Sequence, residues 1–306
     1  MYETPLLTRG LLHEVAVSHL PVRIKIAMPP FPNLISNSFL INATIGYLNS
    51  TGGKASAVRV VDRVMKIRNP ERTIARLLVS DLVERDSRLR LTDDIVEFIS
   101  AEHDLIDLSN ASFVILDLET TGAKAPPCRV TEIGAFKVQN GVVVDKFQTL
   151  INPESRIPPF ITSLTGISEE MVSDAPKFRE VADDFLRFLG DSVIVAHNSR
   201  FDLGFLDHEI GRIYEDYRLG NPSLCTVQLS RRLLPDIENH KLNTVARHFE
   251  VELRNHHRAG DDALATAHIF LNLLTFMRER SIDNVGAVRR FCSIKPKKTA
   301  CQTQQN

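Results

Sequence analysis

From Phe113 to Leu118 the chain runs nearly free of polar side chains, and two carboxylates, Asp117 and Glu119, stand at the end of that run. A short continuous apolar stretch fits a strand buried on both faces at the centre of a sheet. Side chains alternate along a strand, so Asp117 and Glu119 project to the same side. Like charges at the edge of a hydrophobic strand repel, and burying them costs stability unless a cation neutralises them. Oxygen-only ligands suit a hard ion such as Mg²⁺ or Mn²⁺ better than zinc. An Asp-x-Glu at a strand end also serves as a cap or salt-bridge partner, so the pair alone leaves both readings open.

The surrounding pattern is that of a mixed α/β domain over residues 111–280. Val130–Val138 and Val142–Leu150 flank Asn140-Gly141, a dipeptide that tolerates positive φ and predicts a hairpin. Phe178, Val181, Phe185, Phe188 and Leu189 share one helical face, and Ser192–Ala196 reads as another buried strand. A last long helix is expected over about Asp261 to Arg278, with Leu264, Ala267, Leu271 and Leu274 facing inward. The ending from residue 291 to 306, with Lys295-Pro-Lys-Lys298, reads as a polar, disordered tail.

A chain of 306 residues, 43% hydrophobic, has material for a real core and for about two domains. The formal charge of -1 excludes a basic coat over the whole surface. Cys128, Cys225, Cys292 and Cys301 are scattered without a C-x-x-C pair, which predicts neither a disulfide framework nor a structural zinc site and fits a reducing, cytoplasmic setting. No apolar run approaches the roughly 18 residues of a membrane span, and no leader-like segment opens the sequence.

Residues 1–35, with Pro29, Pro30 and Pro32, read as an arm of uncertain structure. Residues 36–105 are different: three helical stretches precede a short alternating one. The first helix is expected over Phe39–Leu48, closed by Thr51-Gly52-Gly53, and the second over about Ser56–Ile67 with Ala57, Val58, Val61 and Met65 on one face. The third is expected to open with Pro70 at its first position and to carry Ile74, Leu77, Leu78 and Leu82 inward. The alternation over residues 87–92 is that of a half-buried strand. Three helices and a small hairpin resemble a winged-helix module, a small, mainly helical class in which the third helix enters a groove of nucleic acid. Residues 54–90 hold ten basic and five acidic side chains, an excess that favours a polyanion. Arg72 and Arg76 share one face of the third helix, and Arg88 and Arg90 share the polar side of the strand, as candidate phosphate contacts. The same charges also suit solvated faces of a protein-docking or dimerisation module.

Two further aspartates matter. Asp202 lies in His197-Asn-Ser-Arg-Phe-Asp202, where a strand gives way to a helix, and Asp262 lies in His257-Arg-Ala-Gly-Asp-Asp262-Ala. An Asp at a helix start is ordinarily a cap or dipole partner. Taken in order, however, Phe-Val-Ile-Leu-Asp117-Leu-Glu119-Thr-Thr-Gly, then the Asp202 motif, then His257-x-x-x-x-Asp262-Ala resemble the three motifs of the DEDDh (DnaQ-like) 3′–5′ exonuclease family, that of ribonuclease T and the bacterial proofreading epsilon subunit. Lesser landmarks agree: Glu132-Ile-Gly134, Leu164-Thr-Gly-Ile167 and Arg231-Arg-Leu-Leu-Pro235.

The resemblance implies an RNase H-like fold, a mixed central sheet with helices on both faces, and two divalent ions, Mg²⁺ or Mn²⁺, held by Asp117, Glu119, Asp202 and Asp262. It makes His257 the general base that takes a proton from water. His256 with Asp261 repeats the five-residue spacing, but Ala263 after the aspartate and Arg258-Ala259 after the histidine select His257 with Asp262. Thr120, Thr121, Leu164, Asn198 and Phe201 become candidate substrate contacts, with core packing the competing reading for Leu164 and Phe201. The implied activity is metal-dependent 3′→5′ hydrolysis of single-stranded or frayed DNA or RNA to 5′-monophosphates, in proofreading or repair, with a DNA polymerase or repair complex as partner. The rival is a nucleic-acid-binding or polymerase-associated module with a weak site.

Overall fold

The computed structural model describes residues 29–86, 88–99, 102–253 and 257–293. The first described strand belongs to the larger domain. Strand β1 (Leu34–Ser36) pairs antiparallel with β9 (Tyr217–Leu219), far along the sequence. Leu34 is buried in the larger domain's core, and the Asn33 side-chain amide donates to the Leu186 carbonyl at 3.0 Å. The expected arm therefore ends as a strap on that domain.

The small domain follows: α1 (Phe39–Ser50), β2 (Lys54–Ser56), α2 (Ala57–Arg63), α3 (Arg72–Glu84), β3 (Leu89–Thr92) and β4 (Ile95–Phe98). Its three strands form an antiparallel sheet in the order β2-β4-β3. Helix α1 closes where Gly52 and Gly53 adopt φ of 80° and 88°, values that side chains resist, letting the Gly53 amide reach back to Leu48 at 2.8 Å. Ser56 caps α2 by accepting from the Arg59 amide. Helix α3 departs from expectation twice. It starts at Arg72 with Glu71 as its cap residue, because Asn69 at φ 46° turns the chain and leaves Pro70 in the lead-in. Its inward residues are Ala75, Val79 and Leu82, whereas Ile74 and Leu77 are 51% and 71% exposed. Small Ala75 and Val79 let α3 sit close to α2 and to β3 of the hairpin, and that close approach turns the larger residues outward.

The larger domain is built on β5 (Phe113–Thr120), β6 (Val130–Gln139), β7 (Val142–Leu150), β8 (Val193–Ala196) and β10 (Ser223–Cys225), in the order β10-β8-β5-β6-β7. Strands β10, β8 and β5 run parallel, and β6 and β7 return antiparallel, joined through Asn140 (φ 51°) and Gly141 (φ 79°). The helices are α4 (Pro159–Thr165), α5 (Glu169–Ser173), α6 (Phe178–Leu189), α7 (Ser199–Gly211), α8 (Thr226–Leu233), α9 (Leu242–His248), α10 (Ala259–Arg278) and α11 (Val285–Ser293). Strand β5 feeds both sides of the sheet as its period of two demands. Phe113 and Ile115 join α8, α9 and α10, while Val114, Leu116 and Leu118 join α6 and α7. This is the mixed sheet covered on both faces that the resemblance implies.

Helix α10 starts at Ala259, two residues early, and buries Ala263, Ala267, Phe270, Leu273 and Met277, while Leu264, Leu271 and Leu274 are only half-buried. Alanines on the inner face allow its first turn to lie directly on β6, where a Cβ on Gly134 would come within 2.3 Å of the Ala259 backbone. The domain also extends beyond 111–280. The Leu108 amide donates to Asp283, the Val285 amide donates to Ile106, and Val285 and Val288 of α11 are buried in the core, so Phe291–Ser293 of the expected tail are helical. The rest of that tail, 294–306, and residues 1–28 lie outside the described residues. No helix among the described residues is long and apolar enough to cross a membrane.

The small domain is thus inserted between the β1 strap and β5. Arg88 donates to the Ser36 carbonyl at 3.2 Å, and Arg88, Arg90 and Phe98 face Gly190, Asp191 and Pro222 across a cleft of about 660 Å³. Those last residues precede β8 and β10, at the edge of the sheet opposite to the end of β5 where Asp117 and Glu119 stand.

Candidate active site

Three segments converge at the carboxyl end of β5. Asp117 and Glu119, both half-buried, lie opposite Gly134 and Glu132 of β6 in the sheet register. Asp202 comes from the first turn of α7, which opens as Asn198 takes a left-handed φ of 79° after β8. Asp202 is 2% exposed, and the backbone amides of Leu118 and of Asp202 itself favour the charged form of its carboxylate. Asp262, 4% exposed, comes from the first turn of α10, and its Oδ2 accepts from the His257 amide at 3.1 Å. His257 is held at φ 70°, a conformation uncommon outside glycine. Ligand atoms of Glu119, His257 and Asp262 lie within 4.8 Å of one another. His256 lies outside the described residues.

The electrostatics record the crowding. Burial pushes the Asp117 carboxyl well above the usual carboxylate range, and Asp202, Glu119, Asp262 and Glu132 push it further. Burial followed by Asp262, Glu132 and Asp202 raises Glu119 to about 8, against an opposing pull from Arg258. Burial raises Asp202 to about 8 as well, opposed by its two amide donors. Groups so placed keep protons at neutral pH until a cation takes their place. Taken without the imidazole, the clustered carboxylate oxygens form a donor set that suits a hard divalent ion.

Other expected contacts fall differently. The Thr120 hydroxyl donates to the Gly122 carbonyl at 2.7 Å, and the Thr121 hydroxyl accepts from the Arg129 amide at 3.0 Å, so both brace the loop after β5 while Thr121 keeps its own O–H to donate. Phe201 is half-buried against the core and packs on Phe205, ring centroids 4.9 Å apart. Asn198 is exposed at the β8–α7 turn. Leu164 on α4 is 43% exposed, and Phe160, one turn earlier, is 72% exposed. Phe160 was not singled out from sequence; its i, i+4 spacing to Leu164 is the signal that marks it. The four arginines expected to touch phosphates are placed differently from one another. Arg72 pairs with Asp94, Arg88 is bound to the fully buried Asp86 carboxylate at 2.7 Å, and only Arg76 and Arg90 of the four are exposed without a carboxylate partner among the described residues. Arg88 is a junction residue rather than a phosphate contact.

The family model for exonucleases of the RNase T type matches residues 114–270, which spans all of these carboxylates and His257. The chain belongs to this exonuclease family. Its relatives include the PolC-type DNA polymerase III of Caldanaerobacter subterraneus subsp. tengcongensis, 41% identical over 198 residues, or 65% of this chain and 14% of that protein. The PolC-type DNA polymerase III of Bacillus subtilis is 39% identical over 214 residues, 67% of this chain and 15% of that protein. The chain therefore spans about one seventh of the length of these curated relatives. Among solved structures, E. coli exonuclease I in complex with a dT13 oligonucleotide shares the fold, with a TM-score of 0.50 and 17% identity over 56% of this chain and 42% of that one.

From the sequence of the exonuclease domain Glu132 stands out only as a landmark of the Glu132-Ile-Gly134 run. Glu132, 1% exposed on β6, accepts from Arg258 and from the first amide of α10. An acidic residue inside an apolar strand is the signal that could have marked it.

Proposed function

We propose that the protein is a 3′→5′ exonuclease that removes 5′-monophosphates from the 3′ end of single-stranded or frayed DNA. The observation that carries this reading is the gathering of Glu119, His257 and Asp262, with Asp117 and Asp202 close enough for their charges to act on one another and on that cluster, from three distant segments within a matched exonuclease family. Asp117, Glu119, Asp202 and Asp262 would hold two Mg²⁺ or Mn²⁺ ions, which when bound supply Lewis-acid stabilisation of charge on the phosphate. A ring nitrogen of His257 takes the proton of the attacking water, and the left-handed backbone at 257 presents that ring beside Glu119 and Asp262. The exposed Leu164 and Phe160 lay an apolar surface on α4 against which an unstacked terminal base can rest. DNA rather than RNA is favoured by the polymerase relatives.

The small domain, winged-helix-like in its order of elements, serves on this reading as a tether. Lying at the opposite edge of the sheet, it engages nucleic acid or a polymerase or repair partner away from the cleaved end. The test offers matched DNA and RNA, single-stranded and duplex and labelled at either end, to the protein with Mg²⁺. Stepwise shortening of 5′-labelled single strands with release of 5′-monophosphates is the expected result. Attack from the 5′ end, or none, would overturn it.

A further inference from the structure

We propose that Glu132 and Arg258 form a positioning pair that aims His257, setting the rate of the chemical step without touching substrate or metal. The inference rests on the exonuclease reading above. The Glu132 carboxylate is buried and takes three donors: Arg258 Nε at 3.1 Å, Arg258 Nη2 at 3.0 Å and the Ala259 amide at 3.1 Å. Three of its roughly four acceptor sites are thus taken by α10 and the residue before it, and Glu132 is not among the groups whose ligand atoms gather with those of Glu119, His257 and Asp262.

Its location is an unfavourable one for another anion. Glu132 stands directly across the sheet from Glu119, and its charge adds to the repulsion that Asp117 and Glu119 already feel. A clamp needed only for stability could use apolar packing, which serves as well or better than a buried ion pair. What the pair supplies is direction: a planar guanidinium fork fixes the residue next to His257 in both distance and rotation. The His257 segment is then locked on two sides, by Arg258 and Ala259 onto β6 and by its own amide onto Asp262. A left-handed φ at a histidine persists where its surroundings over-determine it, and these contacts do so. Gly134, two residues along β6, completes the seat by letting the first turn of α10 lie on the strand.

The test is steady-state kinetics on a short single-stranded oligonucleotide with the full chain. Glu132→Gln keeps the volume and removes the charged fork acceptor, so kcat should fall about 10–100-fold, as for residues that orient a site from behind it. KM and the Mn²⁺ concentration for half-maximal activity should stay unchanged. The deciding readout is non-additivity: in a His257→Ala background, Glu132→Gln should cost nothing further. Arg258→Lys, which keeps the charge and loses the fork, should behave the same way and serves where Glu132→Gln does not fold. Full kcat in Glu132→Gln, a loss that multiplies with that of His257→Ala, or a shifted Mn²⁺ dependence would each overturn the pair's role. An active wild type with any of those results sinks the pair alone, whereas a wild type without nuclease activity sinks the exonuclease reading and the pair with it.

Discussion

The two domains treat charge in opposite ways. In the larger one, five acidic side chains and a histidine are drawn from β5, β6, α7, the first turn of α10 and the segment before it to one end of a sheet and mostly buried, with the Arg258 guanidinium opposing the rise at Glu119. In the small one, residues 54–90 carry an excess of basic side chains, yet Arg63, Arg72, Arg85 and Arg88 each pair with a nearby aspartate. A large charge count spread over a surface and partly neutralised binds weakly and is screened by salt. A small count in a desolvated cluster shifts proton affinities by units and creates a demand for a cation. Placement, rather than net charge, separates a site from a surface.

The sharpest way to break this contrast is to remove one clustered carboxylate. Asp117→Ala or Asp262→Ala should abolish nucleotide release while circular dichroism shows a retained fold, and EDTA should do the same to the wild type. Near-normal activity in Asp117→Ala would return the cluster to the status of an ordinary buried network. His257→Ala should lower kcat by about 10²–10⁴, the usual worth of a general base, and His256→Ala by far less. Equal losses would show that the register of the third motif is misassigned.

Stability supplies a third comparison. Glu119 and Asp202 hold their protons in the folded state up to about 8 and release them near 4 when unfolded. Between those values the folded chain binds more protons than the unfolded one, so metal-free stability should fall as pH rises from about 4 to 8. Mg²⁺ or Mn²⁺ should restore it, raising the melting temperature more at pH 8 than at pH 5. A melting temperature equally insensitive to metal at both values would argue against a cation site.

In the small domain the expected effects are smaller and split by residue. Arg88→Ala strands the buried Asp86 carboxylate and should cost on the order of 3 kcal/mol in denaturant unfolding. Arg76→Ala with Arg90→Ala should leave stability alone; if this face binds DNA, each loss should reduce the slope of log affinity against log salt by about 0.7–0.9 on long substrates. An unchanged slope would favour a protein partner, a role for which the exposed Ile74 and Leu77 on α3 are suited.

Much of this protein is determined by local sequence. The apolar run of β5, the Asn140-Gly141 turn and the ordered Asp117, Glu119, Asp202, His257 and Asp262 motifs depend on alternation, dihedral preference and spacing, which a chain carries wherever it folds. Tertiary structure alone decided the rest. Which face of α3 or α10 points inward depends on how closely Ala75 or Ala263 allows another element to approach. The strap of residues 34–36 onto Tyr217–Leu219, the capture of Arg88 by Asp86, and the fork of Arg258 on Glu132 join side chains or strands through space. A cation's role, as phosphate contact, junction or positioning group, is set by which carboxylate lies within about 3 Å of it, and that distance exists only once the chain has folded.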